Sequence, residues 1–265
     1  MVLERLVSIR DALKNPWGIF VTGGVVSVTC LFISFVIFPQ AVGVYTTFLI
    51  TIAMTPFMVN LTRREEEREE HIVARNMKQN LIQRHREILV VYAAFFSGMI
   101  LSFSIIFLML PAPVVEHLFQ EQVETIKLIR GNATFFGSFE TILLNNIGVL
   151  FVSFLFSFLF GAGAIFVLTW NATILSTAIG LSAKTAGGYI ALPFAILFYF
   201  PHGSLEILAY FIGAIAGGIV SAALMRSNKK WSTTVLKDSF IFLGIAVAIL
   251  VLAAFIESFA IVQFA

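Results

Sequence analysis

Six polar side chains interrupt otherwise apolar stretches of this chain: Glu140, Asn145, Asn146, His202, Glu206 and Glu257. Carboxyl groups can hold a proton or a cation, imidazole exchanges protons near neutral pH, and amides both donate and accept. Inside a hydrocarbon layer an ionisable group costs ~2.5–3.5 kcal/mol at a helix centre, so it turns toward an interior or a water-filled space. Three chemistries fit such a set: a hydrogen-bonded network that holds a bundle, a proton-linked or substrate-binding site, and a metal centre. The metal centre fits least, because an HxxxE pair supplies two ligands where zinc needs three or four. No metal and no cofactor is therefore expected. His202 and Glu206 lie one helical turn apart on one face, and Gly213 follows seven residues after Glu206 on nearly the same face.

The elements that must position these groups are membrane helices. Hydrophobic residues make up 59% and charged residues 12% of the 265-residue chain, and its mean hydropathy is +0.95. Soluble domains are about half apolar and about a quarter charged. A formal net charge of +2 is too small to suggest a nucleic-acid partner. The single cysteine, Cys30, lies in the first apolar run and reads as a small buried hydrophobe.

A helix needs about 20 apolar residues to cross a hydrocarbon core about 30 Å thick. Spans are predicted at residues 17–38, 41–61, 88–110, 139–168, 203–225 and 239–262. Residues 170–200 contain Asn171, Lys184 and Pro193 between two short apolar pieces, and predict one further, interrupted crossing. The fold class is thus all-α, a polytopic transmembrane bundle of about seven crossings, with six as the alternative. Fourteen of the 17 basic residues fall in the amino-terminal segment, in residues 62–87 and in the loop that follows Arg226. With seven crossings these three regions share one side, which the positive-inside rule makes cytoplasmic. The amino terminus is then inside and the carboxyl terminus outside the cell membrane.

Residues 1–16 read as an interfacial amphipathic helix ended by Pro16, and residues 17–61 as the first two spans. Residues 62–87, "TRREEEREEHIVARNMKQNLIQRHRE", read as a cytoplasmic charged helical hairpin. Val73, Met77 and Leu81 form an apolar stripe along it, and Arg63 and Arg64 stand at its base, so it could dock a cytoplasmic or membrane protein partner. The loop 111–138 is expected outside, with a short surface helix over residues 114–130 and a glycosylation acceptor at Asn132. Small residues every fourth position let helix backbones approach in lipid. Ser153, Ser157 and Gly161 form one such ladder, and Ala209, Gly213, Gly217 and Ser221 form a second. They predict direct packing of the two helices or a homo-oligomer contact.

No nucleophilic triad and no HExxH motif is present, which argues against an enzyme. The order "NN" at 145–146, "GAG" at 161–163, "WNATILSTAIG" around Asn171, "PHGSLEILA" at 201–209 and "AAFIESF" at 253–259 resembles the stage II sporulation protein M family over roughly residues 88–262. That resemblance implies a domain at residues 88–265 that serves as a membrane scaffold or remodelling component able to oligomerise. It also implies a shared polar constellation at Asn145, Asn146, His202, Glu206 and Glu257. Alanine at 172 and the added first two spans depart from the family pattern and count against the sporulation role itself. The residues alone leave a transporter or permease using the site around Glu206 as the alternative.

Overall fold

The computed structural model describes residues 8–74, 85–129, 134–160, 164–225 and 229–264, and every regular element among them is helical. The helices are α1 (Ile9–Lys14), α2 (Pro16–Ile37), α3 (Val42–Ala74), α4 (Arg86–Met109) and α5 (Ala112–Leu118), then α6 (Gln120–Ile129), α7 (Phe135–Phe160), α8 (Ala164–Ala186), α9 (Leu192–Met225) and α10 (Lys229–Phe264). Seven of them, α2, α3, α4, α7, α8, α9 and α10, carry stretches long and apolar enough to cross a membrane. The fold is an all-helical polytopic bundle.

Local chemistry sets the ends. Asn15 caps α2, its side chain accepting from the Trp17 amide, and Pro16 occupies the first turn, where a missing N–H costs nothing. Pro39 stops α2 by pushing Phe38 out of helical geometry, and Pro111 does the same to Leu110 after α4. Between α8 and α9 the backbone reverses through Gly187 and Gly188 at φ of 132° and 72°, a region that side chains with a Cβ rarely enter.

Two sequence expectations change here. The stretch 139–168 is two helices: α7 ends at Phe160 and α8 begins at Ala164. Residues 170–200 are not one interrupted crossing; α8 is a full span through Asn171 and Lys184, and the break is the glycine turn that joins it to α9. Consequently α9 starts at Leu192, with Pro201 inside it, and His202 lies within the helix instead of opening it. Membrane helices tolerate such a proline because neighbours re-satisfy the freed carbonyl.

The most extensive helix pairings are α9 with α10, α7 with α9, and α2 with α4. Glycine makes the last one possible. A Cβ on Gly98 would overlap the Phe20 carbonyl oxygen, and one on Gly23 would overlap that of Phe95. Tyr92 and Phe96 of α4 then meet Phe211 of α9 at ring separations of 5.2 and 5.4 Å, which ties the two halves of the bundle together.

The segment between α4 and α7 is helical and packs on the bundle by one face. Val115, Leu118, Phe119, Gln122 and Ile126 are all buried. Phe119 packs on Phe103 and Phe107 of α4. Gln122, 1% exposed, donates to Thr173 Oγ1 at 3.3 Å. Thr173 lies 11 residues along α8 from Lys184, whose ammonium meets the Leu110 carbonyl at the end of α4. Gln122 also lies against Gly43 in the first turn of α3. Helices α5 and α6 pack on the bundle by one face, while Glu116, Gln120, Glu124 and Lys127 are exposed, as the expected short amphipathic helix requires. Asn132 lies outside the described residues.

Of the amino-terminal interfacial helix, α1 is described. Ser8 caps it, and Ala12 is completely buried against the bundle. Helix α3 continues as helix to Ala74, ten residues beyond the span end at Arg64. Arg68 pairs with Glu87 at 3.4 Å, which sets this extension beside the start of α4. The turn expected near residues 75–80, together with Met77 and Leu81, lies outside the described residues.

Candidate functional site

Four consecutive turns of α9 present Tyr199, His202, Glu206 and Tyr210 at spacings of three and four, so they share one face. Facing them on α7 is a stripe of buried residues: Ile142, Asn146, Leu150, Ser153 and Ser157. Partners advance together along both helices. Asn146 meets Glu206 and Tyr210, Leu150 lies against Gly213, and Phe154 against Gly217. Helices α7 and α9 thus run parallel, with a polar contact toward their amino-terminal ends and a small-residue contact beyond it.

Asn146 is the hub of the polar part. Its Nδ2 donates to Glu206 Oε1 at 2.7 Å, and its Oδ1 accepts from the Tyr210 hydroxyl at 2.8 Å and from Asn145 Nδ2 at 3.3 Å. Opposite, the Glu257 carboxyl of α10 lines the same cavity and lies close enough to Glu206 to interact with it. Carboxylate oxygens only accept, so a bond between two carboxyl groups requires a proton on one of them.

These groups line a cavity of about 80 Å³ at the meeting of α7, α8, α9 and α10, with Ile126 of α6 in its wall. Asn145, Asn171 and His202 contribute to the same wall. Asn171 donates its amide to the Val167 carbonyl at 2.8 Å, which leaves its oxygen as an acceptor. The volume suits a few water-sized groups, since one water needs ~10–15 Å³ on this measure. Chemically the site can store a proton, exchange it with water or a small ligand, and accept hydrogen bonds from whatever enters.

Five of the six polar residues singled out in sequence converge here: Asn145, Asn146, His202, Glu206 and Glu257. Glu140 does not. It lies exposed on α7, away from the Ile142–Asn146 stripe, because six residues of helix carry it well round from Asn146. Glu206 is 14 residues into α9, about 21 Å from its start and near the middle of that span. Tyr199 and Tyr210 were missed, although each simply continues the His202–Glu206 face by three or four residues.

Lys184 plays a different part. Its ammonium donates to the Leu110 carbonyl at 3.1 Å and stands 5.7 Å from the Phe107 ring centre. It caps the carboxyl end of α4, where a cation meets the negative pole of the helix. The ladders Ser153–Ser157 and Ala209–Gly213–Gly217 are occupied within the chain by the α7–α9 contact. A Cβ on Gly217 would overlap the Phe154 carbonyl oxygen. Ser221 is half-buried further along α9, and Gly161 lies outside the described residues. Arg63 and Arg64 are exposed at the end of the α3 span, and Val73 lies on its helical extension.

Fold and site together define a polytopic helical membrane protein with a carboxyl pair inside its bundle. The chain belongs to the Stage II sporulation protein M family, whose model matches residues 34–260. The match takes in the α3 span and the charged segment after it, which the sequence reading had treated as an addition to the family domain. No curated protein and no solved structure matches the chain.

Proposed function

We propose that the protein is a transporter-type membrane protein, in which the Glu206–Glu257 pair is the centre of a proton-linked binding site. The observation that carries this reading is the contact of two carboxyl groups at the wall of a cavity within the bundle. A purely structural network could be built from Asn146 and Tyr210 alone, whereas acids within spans are costly and mark pathways for protons or substrates. The excess of basic residues near the amino terminus, in residues 62–87 and from Arg226 onward supports an amino terminus in the cytoplasm and a carboxyl terminus outside.

Vesicles reconstituted with the full chain, given a membrane potential and an internal pH dye, test the proposal. Proton entry above the protein-free background is expected, reduced to that background by Glu206→Gln. Equal flux with the wild-type and variant chains would sink it.

A second reading is a scaffold that recruits partners, favoured by the helical extension of α3 beyond its span and its Arg68–Glu87 tie to α4. Deleting residues 65–84 should then remove a crosslinked partner. If every crosslinked partner remains, the charged segment is not a docking element.

A further inference from the structure

The polar cavity has an apolar neighbour. A groove of about 600 Å³ opens between α4 and α9, walled by Leu89, Phe96 and Ile100 on one side and Leu208 and Phe211 on the other. Its size falls within the ~300–1,000 Å³ of pockets that enclose small ligands. Leu175, Tyr199 and Ile207 line both spaces. Only a wall of three side chains divides a hydrocarbon-lined groove from a carboxyl-lined cavity. A molecule that fills both must be hydrocarbon at one end and polar at the other.

The cavity limits what that polar end can be. Asn146 is committed to Glu206 and Tyr210, so the groups that remain are acceptors, Asn171 Oδ1 and the carboxyl oxygens, beside the Asn145 amide and the His202 ring. A hydroxyl, which both donates and accepts, suits such a lining. Two carboxyl groups in contact repel a phosphate, and about 80 Å³ admits a hydroxyl but not a phospholipid headgroup. Position near mid-span also favours an uncharged end, since charged headgroups stay at the interface.

We propose that the two spaces form one site for an uncharged lipid alcohol, its chain in the α4–α9 groove and its hydroxyl donating to the Glu206–Glu257 pair. The proposal rests on the reading of the polar cavity as a binding site and names the class of molecule bound there. Tyr199, whose hydroxyl lies 3.0 Å from Ser182 Oγ, forms part of the dividing wall.

The test uses the full chain in lipid nanodiscs with a diazirine-bearing hexadecanol and, separately, a phosphatidylcholine carrying the same diazirine chain. Expected is labelling of α4 and α9 peptides by the alcohol, competed by unlabelled hexadecanol and weak with the phospholipid. Ala93→Trp fills the groove without entering the cavity and should abolish that labelling, while Glu206→Gln should weaken it. Ser97→Phe is the second groove variant, used if Ala93→Trp fails to give a monodisperse protein. Equal labelling by the phospholipid, labelling unchanged by the groove variants, or a groove closed by crosslinks to a second copy would each overturn the proposal. Labelling as expected together with Glu206-independent flux would leave the lipid site standing and remove the transport reading.

Discussion

Asn146 Nδ2 lies 2.7 Å from Glu206 Oε1, across the parallel contact of α7 with α9. The same amide accepts the Tyr210 hydroxyl through its oxygen, so one side chain orients both an acid and a phenol. Replacing it removes a donor and an acceptor at once and leaves buried partners unsatisfied. Asn146→Leu should cost about 1–3 kcal/mol of stability in detergent. Tyr210→Phe, which breaks a single bond, should cost nearer the ~0.6 kcal/mol average of interhelical hydrogen bonds in membranes. Chemical unfolding of the two variants beside wild type measures both, and equal costs would mean that Asn146 is not the hub.

The glycine contacts make a sharper forecast. Gly98→Ala and Gly217→Ala push a methyl into the Phe20 and Phe154 carbonyls and should each destabilise by about 1–3 kcal/mol, the usual cost of overpacking. Gly148→Ala and Gly244→Ala meet nothing within 4 Å and should stabilise by up to about 1 kcal/mol through helix propensity. Thermal denaturation of the four variants decides the matter, and indifference at Gly98 would mean that α2 and α4 do not touch by their backbones.

Much of this was legible in the sequence, and the rest failed for identifiable reasons. Seven crossings and the converging groups Asn146, His202, Glu206 and Glu257 could be read because hydropathy and the i, i+4 period act locally. The α7–α8 boundary was hidden because residues 161–163 bring glycine and alanine, with no charge, into a continuous apolar run. Pro201 was read as a helix start, which it often is in water, yet here nine helical residues precede it. Tyr199 and Tyr210 looked like packing aromatics. A short helix over residues 114–130 could be read from its amphipathic pattern, whereas the burial of Gln122 beside Thr173, 51 residues away in sequence, could not.

The packing of α6 on the bundle can be checked by accessibility. With Cys30 replaced by serine, a cysteine introduced at Gln122, 1% exposed, should resist a water-soluble maleimide in the folded protein. A cysteine at Leu128, 81% exposed, should react rapidly. Rapid modification at both positions would return α6 to the surface.

Lys184 offers a separate test of the upper bundle. Lys184→Met removes the cation from the carboxyl end of α4 and should cost about 0.3–1 kcal/mol, more if the site is well shielded from water. Lys184→Arg, which keeps a donor and a charge, should retain most of the stability. Identical melting of the methionine variant and wild type would show that the Leu110 contact is incidental.

The protonation of the Glu206–Glu257 pair is best examined by infrared spectroscopy of the protein in lipid, before and after transfer to heavy water. A protonated-carboxyl band is expected that shifts on exchange and disappears in the Glu206→Gln, Glu257→Gln double variant, marking a carboxyl pair in contact with a hydrated cavity. A spectrum without that band, or a band unmoved by heavy water, would mean that the acids share no exchangeable proton, and the transport reading would fall with it.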